Sequence, residues 1–209
     1  MAEAAAESPA TLAEFTRTRS IPILTTRGRV PCDDPETARE WNADAAAAEA
    51  LRRMIAAALA QDDPTHHLAN REYGAMICER ADGVLTISPV VWGDPIFDAG
   101  GTWVNPGEQP TVPVDIDACG IGSTPLAMIH THPSTGGAGA IPSWNDAQWV
   151  AAINARRGDN HGRIYVVAID GTSFRIEVYD QSNAGAWETG ERGPEVNPNA
   201  QPCTLDAVQ

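Results

Sequence analysis

The sequence predicts an α/β fold, with helices and strands alternating along one chain of 209 residues. Helix-forming residues with an amphipathic pattern occupy residues 43–60. Two β-rich runs are each interrupted by an Asp-Gly pair, at Asp82 and at Asp170, as expected for strand–turn–strand units. Between them, a strand that ends in His-Thr-His-Pro is followed by a helix that begins at Ser143. These patterns predict a single domain over residues 43–180.

The first half of this domain is predicted to contain one helix and one hairpin. Apolar residues recur at three- and four-residue steps along the helix, which gives it one apolar face. They are Leu51, Met54, Ile55, Ala58 and Leu59. Asp62-Asp63-Pro64 ends the helix. The hairpin strands are expected at 72–78 and 84–88, with Glu72 at the start of the first.

The second half is predicted to contain a strand, a helix and a further pair of strands. The strand covers residues 126–132 and is cut off by Pro133. The helix begins at Ser143 and ends near Gly158, where two arginines and a glycine favour a C-terminus. Its predicted inward stripe consists of Asp146, Trp149, Val150 and Ile153. The two closing strands are expected within residues 163–179.

Three segments lack a regular pattern. Residues 1–42 mix Ala, Thr, Pro and charge, which predicts an N-terminal arm. Residues 181–209 are polar with little to bury, which predicts a disordered C-terminal tail. Residues 89–124 hold many prolines and glycines, which predicts a long surface loop of the kind that often borders a binding cleft. Its aromatic anchors are expected to be Trp92, Phe97 and Trp103.

The charge and hydropathy of the chain exclude several classes of partner. The net charge of −14 argues against nucleic acid, because phosphate-backbone binding depends on clustered Lys and Arg. No run approaches the roughly 18 to 20 apolar residues of a membrane span, so no membrane partner is expected. The acidic first residues lack the features of a secretory signal, which predicts a cytoplasmic protein, with delivery as an effector by another machine as the alternative.

Two residue types have unusual usage. All 14 Lys and Arg residues are arginine, and a GC-rich genome and avoidance of ubiquitin-like conjugation are both open as the cause. The cysteines are widely spaced, with no pair at the two-residue interval of a zinc knuckle, which predicts free thiols in a reducing compartment. They are Cys32, Cys78, Cys119 and Cys203. Cys32 and Cys203 lie in the two predicted tails, and their pairing in an oxidising setting stays open.

Residues 130–146 contain a candidate hydrolytic zinc site. His130 and His132 are two apart on a strand, so both imidazoles leave the same face, where they suit a transition metal. Asp146 follows in the first turn of the next helix and can complete a set of two nitrogen ligands and one oxygen ligand. A fourth, open position would hold water, whose pKa zinc lowers to about 7. One Zn²⁺ per chain is therefore predicted.

Two further side chains are expected to take part in the chemistry. Glu72 is the candidate general base, because it starts a strand of the same predicted sheet and the neighbouring Gly74 permits close backbone approach. Ser143 is expected to point its hydroxyl toward the scissile carbonyl and to stabilise the oxyanion.

Each of these features has a simpler explanation when taken alone. His-x-His pairs occur by chance on exposed strands. Ser143 and Asp146 have the spacing of a helix capping box. Glu72 is one of 28 acidic residues and would be a solvated strand end by default. The metal-site hypothesis depends on the joint order: a helix, Glu at a strand start, His-x-His-Pro at a strand end, and Ser-x-x-Asp opening a helix.

This order of residues resembles that of the JAMM (MPN+) metalloproteases, the zinc isopeptidase family that includes deubiquitinases and many bacterial relatives. The resemblance spans roughly residues 44–180 and depends on three motifs: Glu-Tyr-Gly-Ala-Met at Glu72, His-Thr-His-Pro at His130, and Ser-Trp-Asn-Asp at Ser143. It implies a deaminase-like, three-layer α/β fold with a mixed β-sheet flanked by helices. The loop before Ser143 is longer than is usual in the family, and the extra length lies in residues 136–140.

The resemblance also implies a set of roles. His130, His132 and Asp146 would be zinc ligands, Glu72 the water-activating base, and Ser143 the oxyanion support. The implied activity is hydrolysis of an amide or isopeptide bond in a protein or peptide, including a ubiquitin-like protein, in a bacterial conjugation, defence or effector system. Two alternatives stay open: a toxin effector or peptidoglycan peptide hydrolase, and a non-catalytic MPN-type scaffold.

Overall fold

The computed structural model of the chain describes residues 32–98, 102, 104, 112–133, 141–170, 173–204 and 206–209. The helices are α1 (Pro35–Leu59), α2 (Trp144–Arg157) and α3 (Ala186–Thr189), with 3₁₀ turns at Pro64–His66 and Ile116–Cys119. The strands are β1 (Tyr73–Arg80), β2 (Leu85–Ile87), β3 (Val91–Trp92), β4 (Ser123–Pro133), β5 (Arg163–Asp170), β6 (Ser173–Asp180) and β7 (Glu195–Val196). The predicted order of helix, hairpin, His-containing strand, helix and strand pair is confirmed.

The strands form one mixed sheet in the order β2-β1-β4-β5-β6-β7, and β3 pairs with β1. The β4–β5 pair is parallel and the other pairs are antiparallel. Helix α2 connects the two parallel strands, as a parallel connection requires. The β1–β2 hairpin turns at Gly83, whose φ of +81° is readily available to glycine, so the Asp-Gly signal predicted this turn correctly.

Helices cover both faces of the sheet, which makes three layers. Alternate residues of β4 point to opposite faces, because successive side chains of a strand alternate. Ala127 and Ile129 pack against α1, whose buried face is largely alanine. Met128 packs with Val150 and Ile153 of α2 on the other face. The structure therefore confirms an α/β fold with a mixed sheet flanked by helices.

Helices α1 and α2 match their sequence signals closely at three of their four ends. Helix α2 has Ser143 as its N-cap and ends at Gly158, which has a φ of +73°. Helix α1 begins at Pro35, eight residues before the predicted start, because Asp34 caps it by accepting the Thr37 N–H. Part of the predicted N-terminal arm is therefore helix, and residues 1–31 lie outside the described residues.

The C-terminal segment differs from the expected disordered tail. Strand β7 pairs with β6, and Val208 forms a parallel bridge with Leu85 at the other edge of the sheet. Val196 and Ala200 are buried. The segment thus crosses the α1 side of the sheet from one edge to the other, although its composition offers few apolar residues.

The prediction of free thiols is wrong for the structure. Cys32 is bonded to Cys203, and Cys78 to Cys119, so no cysteine is free. The bond between Cys32 and Cys203 is the pairing that the sequence left open. The sequence could not reveal these pairs, because they join residues 171 and 41 positions apart that only the fold brings together. Among the described residues, no helix has the length and apolar character that crossing a membrane requires.

Candidate metal centre

Strand β4 presents two imidazoles on the α2 side of the sheet. His130 and His132 point to the same face as Met128, because they are separated from it by even numbers of residues. His130 lies opposite Gly74 of β1 on one side and opposite Val166 of β5 on the other, so it is in the middle of the sheet. Its side chain is 3% exposed, whereas that of His132, nearer the strand end, is 19% exposed.

The first turn of α2 supplies a carboxylate to the same place. Asp146 belongs to a capping box: its Oδ2 accepts the Ser143 N–H at 2.6 Å, and its own N–H donates to the Ser143 hydroxyl at 3.2 Å. The capping box that the sequence allowed is therefore present. It holds the Asp146 side chain by Oδ2 and leaves Oδ1 directed toward the imidazole of His130.

The three side chains converge on a common volume. The two Nε2 atoms of His130 and His132 are 2.9 Å apart, the distance from Nε2 of His130 to Oδ1 of Asp146 is 3.3 Å, and that from Nε2 of His132 to Oδ2 is 3.6 Å. In a tetrahedral zinc site with bonds of about 2.0–2.1 Å, neighbouring donors lie about 3.3 Å apart. The group could therefore hold a metal ion, and two imidazole nitrogens with one carboxylate oxygen fit zinc.

Burial and charge act together on these groups. Burial alone would raise the pKa of Asp146, but His130, His132 and the Ser143 N–H bring that pKa well below its ordinary value. Burial alone would lower the pKa of His130, but the Asp146 carboxylate raises it above its ordinary value. Asp146 is therefore ionised at neutral pH, the state in which a carboxylate coordinates a metal. The buried Nδ1 of His130 has no hydrogen-bond partner among the described residues.

Glu72 lies at the edge of this group, directly before β1. Since Gly74 is opposite His130, Glu72 and Gly74 share the sheet face of the two histidines. Glu72 is 7% exposed, so it is not the solvated strand end that the sequence allowed. Burial raises the pKa of its carboxyl from 4.5 to about 7; the nearby Asp146 carboxylate adds to this rise and His130 opposes it. A carboxyl group with this pKa can both accept and release a proton near neutral pH.

One end of the predicted 89–124 loop borders the site. A Cβ added at Gly74 would lie 2.6 Å from Cγ2 of Val114 and 3.0 Å from Cγ2 of Val112, so the glycine makes room for these two side chains. The close approach at Gly74 is thus made by valine side chains, whereas the sequence predicted a close approach of the backbone. The disulfide from Cys78 to Cys119 ties the same segment to β1. Of the expected aromatic anchors, Phe97 is buried, Trp92 is partly buried, and Trp103 lies outside the described residues.

Ser143 lies next to the site and also has a structural role, because it is the N-cap of α2. Its hydroxyl oxygen accepts the Asp146 N–H, and its side chain is at the exposed N-terminus of α2. The oxyanion role of this hydroxyl stays a prediction. The Gly-rich stretch 136–140 that precedes it falls within residues 134–140, outside the described residues.

One buried residue beside the candidate ligands, Thr131, lies between the two histidines and was not predicted from the sequence. It is 0% exposed, and its hydroxyl oxygen accepts the Tyr73 N–H at 2.9 Å. A threonine between two candidate ligands carries no recognisable sequence signal, because strands are rich in threonine in any case. Its partner could be found only from the register of β1 and β4.

Comparison with known proteins adds no assignment: no family model matches the chain, and no curated protein matches its sequence. The geometry of the site and the resemblance of its motifs are therefore the basis for a proposed function.

Proposed function

We propose that the chain is a zinc-dependent hydrolase of amide bonds, a peptidase or isopeptidase of the JAMM (MPN+) type. The observation that carries this proposal is the convergence of His130, His132 and Asp146 beside Glu72, whose pKa is raised to about 7. An acid–base group near neutral pH beside a two-histidine, one-carboxylate set is the combination that metal-assisted hydrolysis needs. In this proposal the three-layer architecture is that of the JAMM/MPN fold.

His130, His132 and Asp146 would hold the zinc ion, which supplies Lewis acidity and lowers the pKa of a water ligand to about 7. Glu72 takes a proton from the attacking water and delivers it to the leaving amine. Zinc would lower the pKa of about 7 that burial gives this carboxyl in the metal-free protein, which favours the ionised form that accepts the proton in the first step. The Ser143 hydroxyl oxygen accepts the Asp146 N–H, and the hydroxyl still has its own proton to donate. With this proton it supports the oxyanion from the N-terminus of α2.

The two disulfides favour a substrate outside a reducing compartment. Disulfides persist in oxidising surroundings and are rare in the cytosol. This observation supports the second candidate function, a peptide hydrolase acting on peptidoglycan stem peptides or as a delivered effector. A ubiquitin-like protein as substrate would require delivery of the folded, disulfide-bonded chain to its location.

The first experiment is metal analysis combined with the Glu72→Gln variant. Wild-type protein is expected to contain about one zinc per chain after reconstitution and to cleave at least one member of a panel of ubiquitin-like fusions and peptidoglycan-derived peptides. Glu72→Gln is expected to keep the zinc and to cleave only at a strongly reduced, residual rate. Glu188→Gln, at an exposed position of α3, is the matched control and should keep both.

Three outcomes separate the alternatives. Protein that binds no zinc would overturn the proposal as a whole. Zinc binding without cleavage of any panel member would leave a metal-binding scaffold as the better explanation. Cleavage of only one of the two substrate groups, assayed without reductant, would assign the substrate class.

A further inference from the structure

The peptide group that joins Glu72 to Tyr73 is held at both ends. Its carbonyl oxygen, on Glu72, accepts the Gly93 N–H at 2.9 Å from the β3 side. Its N–H, on Tyr73, donates to the Thr131 hydroxyl at 2.9 Å from the β4 side. Gly93 is itself fixed, because its carbonyl accepts Nη1 of Arg71 at 3.2 Å. Two bonds at opposite ends fix the plane of this peptide group, which contains the Cα atom of Glu72, and so fix the point from which the Glu72 side chain leaves the backbone.

Thr131 makes this bond from a special position in β4. The last paired residues at this end of β1 and β4 are Gly74 and His130, and the bond from Tyr73 to the Thr131 side chain lies just beyond them. The side chain of Thr131 is 0% exposed, so no water competes for the Tyr73 N–H. A buried N–H that loses its partner is costly, which makes this bond persistent.

This bond links Glu72 to the two candidate histidine ligands through a single residue, Thr131. Thr131 is covalently joined to His130 and His132, and its hydroxyl reaches the backbone next to Glu72. The contact between this peptide group and β4 is therefore a side-chain bond, because the backbone ladder of β1 and β4 ends at Gly74 and His130. The carbonyl oxygen of the same peptide group is bonded to Gly93, which directly follows β3, and β3 carries no ligand of the group.

From this arrangement we propose that Thr131 is a positioning residue, whose hydroxyl sets the Glu72 carboxyl at its working distance from His130 and His132. This positioning role goes beyond the proposed function and rests on it, because the distance matters for catalysis only where Glu72 is the general base. Thr131 contacts no substrate, and its own side chain points toward the α1 side of the sheet, away from the metal ligands.

The test uses two substitutions of nearly equal size. Thr131→Val removes the acceptor and keeps the shape, whereas Thr131→Ser keeps the acceptor. Thr124→Val, at an exposed position of the same strand, is the matched control. With zinc bound, Thr131→Val is expected to lower kcat about 10- to 100-fold with little change in KM, because a displacement near 1 Å has effects of this size. Thr131→Ser and Thr124→Val should stay close to wild type.

A double variant separates positioning from general destabilisation. If Thr131 acts through Glu72, then Thr131→Val adds no further loss of activity in the Glu72→Gln background. An equal fold-loss in both backgrounds, or loss of zinc from Thr131→Val, would overturn the proposal, because either result would mean that Thr131 acts on the fold or on the ligands.

A second measurement needs neither zinc nor activity. In metal-free protein, the ¹³C resonance of the Glu72 carboxyl carbon is expected to move in Thr131→Val and to return in Thr131→Ser, and the Tyr73 amide is expected to exchange faster only in Thr131→Val. An unmoved resonance with unchanged amide exchange would overturn the positioning role. This readout stays decisive if the wild-type protein hydrolyses nothing, a result that would count against the proposed function alone.

Discussion

The carboxyl group of Glu72 is expected to reduce the stability of the metal-free protein at high pH. Its pKa rises from 4.5 to about 7 because it is buried. The folded state therefore binds the Glu72 proton more tightly than the unfolded state does. The stability that this proton contributes is full below pH 4.5 and is lost as the pH rises through about 7. At about 1.4 kcal/mol per pH unit, the loss comes to about 3 kcal/mol.

Glu72→Gln removes this titration and keeps the shape of the side chain. Urea unfolding of chelator-treated protein would measure the free energy of unfolding of both chains at pH 4 and at pH 8. At pH 4 the two values should agree within about 0.5 kcal/mol, whereas at pH 8 the variant should be more stable by about 3 kcal/mol. All other titrating groups are common to both chains, so the difference reports on Glu72. The exposed Glu188→Gln should match wild type at both pH values.

A difference between wild type and Glu72→Gln that does not change with pH would refute the reasoning, because it would mean that the carboxyl titrates alike in the folded and unfolded states. Zinc provides a second check. A divalent cation beside the carboxyl favours its ionised form, so zinc should shrink the difference at pH 8.

Three other variants test the surroundings of the site. Gly74→Ala should destabilise the protein by about 1–3 kcal/mol in urea unfolding, because the added Cβ overlaps Val114, and wild-type stability would contradict the observed contact. Replacing Cys78 and Cys119 with serine should lower stability by about 4 kcal/mol, and thiol titration of the native protein should find no free thiol. Asp146→Asn should weaken zinc binding, measured by chelator competition, by more than about tenfold.

Local sequence signals predicted the parts of the fold that are determined by neighbouring residues. Ser143 and Gly158 mark the two ends of α2 because capping uses side chains within three residues and a left-handed glycine. The Asp82-Gly83 hairpin is equally local. The true start of α1 had a signal of the same kind, Asp34 followed by Pro35, but the low periodicity of the residues after it hid the helix.

Long-range features could not be predicted in this way. The C-terminal segment has few apolar residues, and its order comes from pairing with β6, from a bridge to Leu85 and from the bond between Cys203 and Cys32. Each of these contacts joins residues far apart in the chain. Composition shows how many residues of a segment can be buried. It does not show whether the segment will pair with the edge of a sheet.

The candidate site shows the same division between local and long-range information. The sequence identified the side chains His130, His132 and Asp146, because strand periodicity and a helix start place them without knowledge of the fold. The raised pKa of Glu72 could not be predicted from the sequence. A pKa of about 7 results from burial, and the burial of Glu72 depends on parts of the chain that only the fold brings together.

The stability that is lost when the buried Glu72 carboxyl ionises must be offset by other interactions. One of them is a disulfide that begins on β1. The loss at high pH is about 3 kcal/mol, whereas the chain-entropy value for a crosslink between residues 41 positions apart is about 4 kcal/mol. This crosslink, from Cys78 to Cys119, begins on the strand that Glu72 precedes and holds the segment that packs on Gly74. A chain lacking it would have to ionise or expose Glu72 more easily. Reduction of this disulfide should therefore remove more stability than ionisation of the buried carboxyl costs, and urea unfolding at pH 8 with and without reductant would measure the loss.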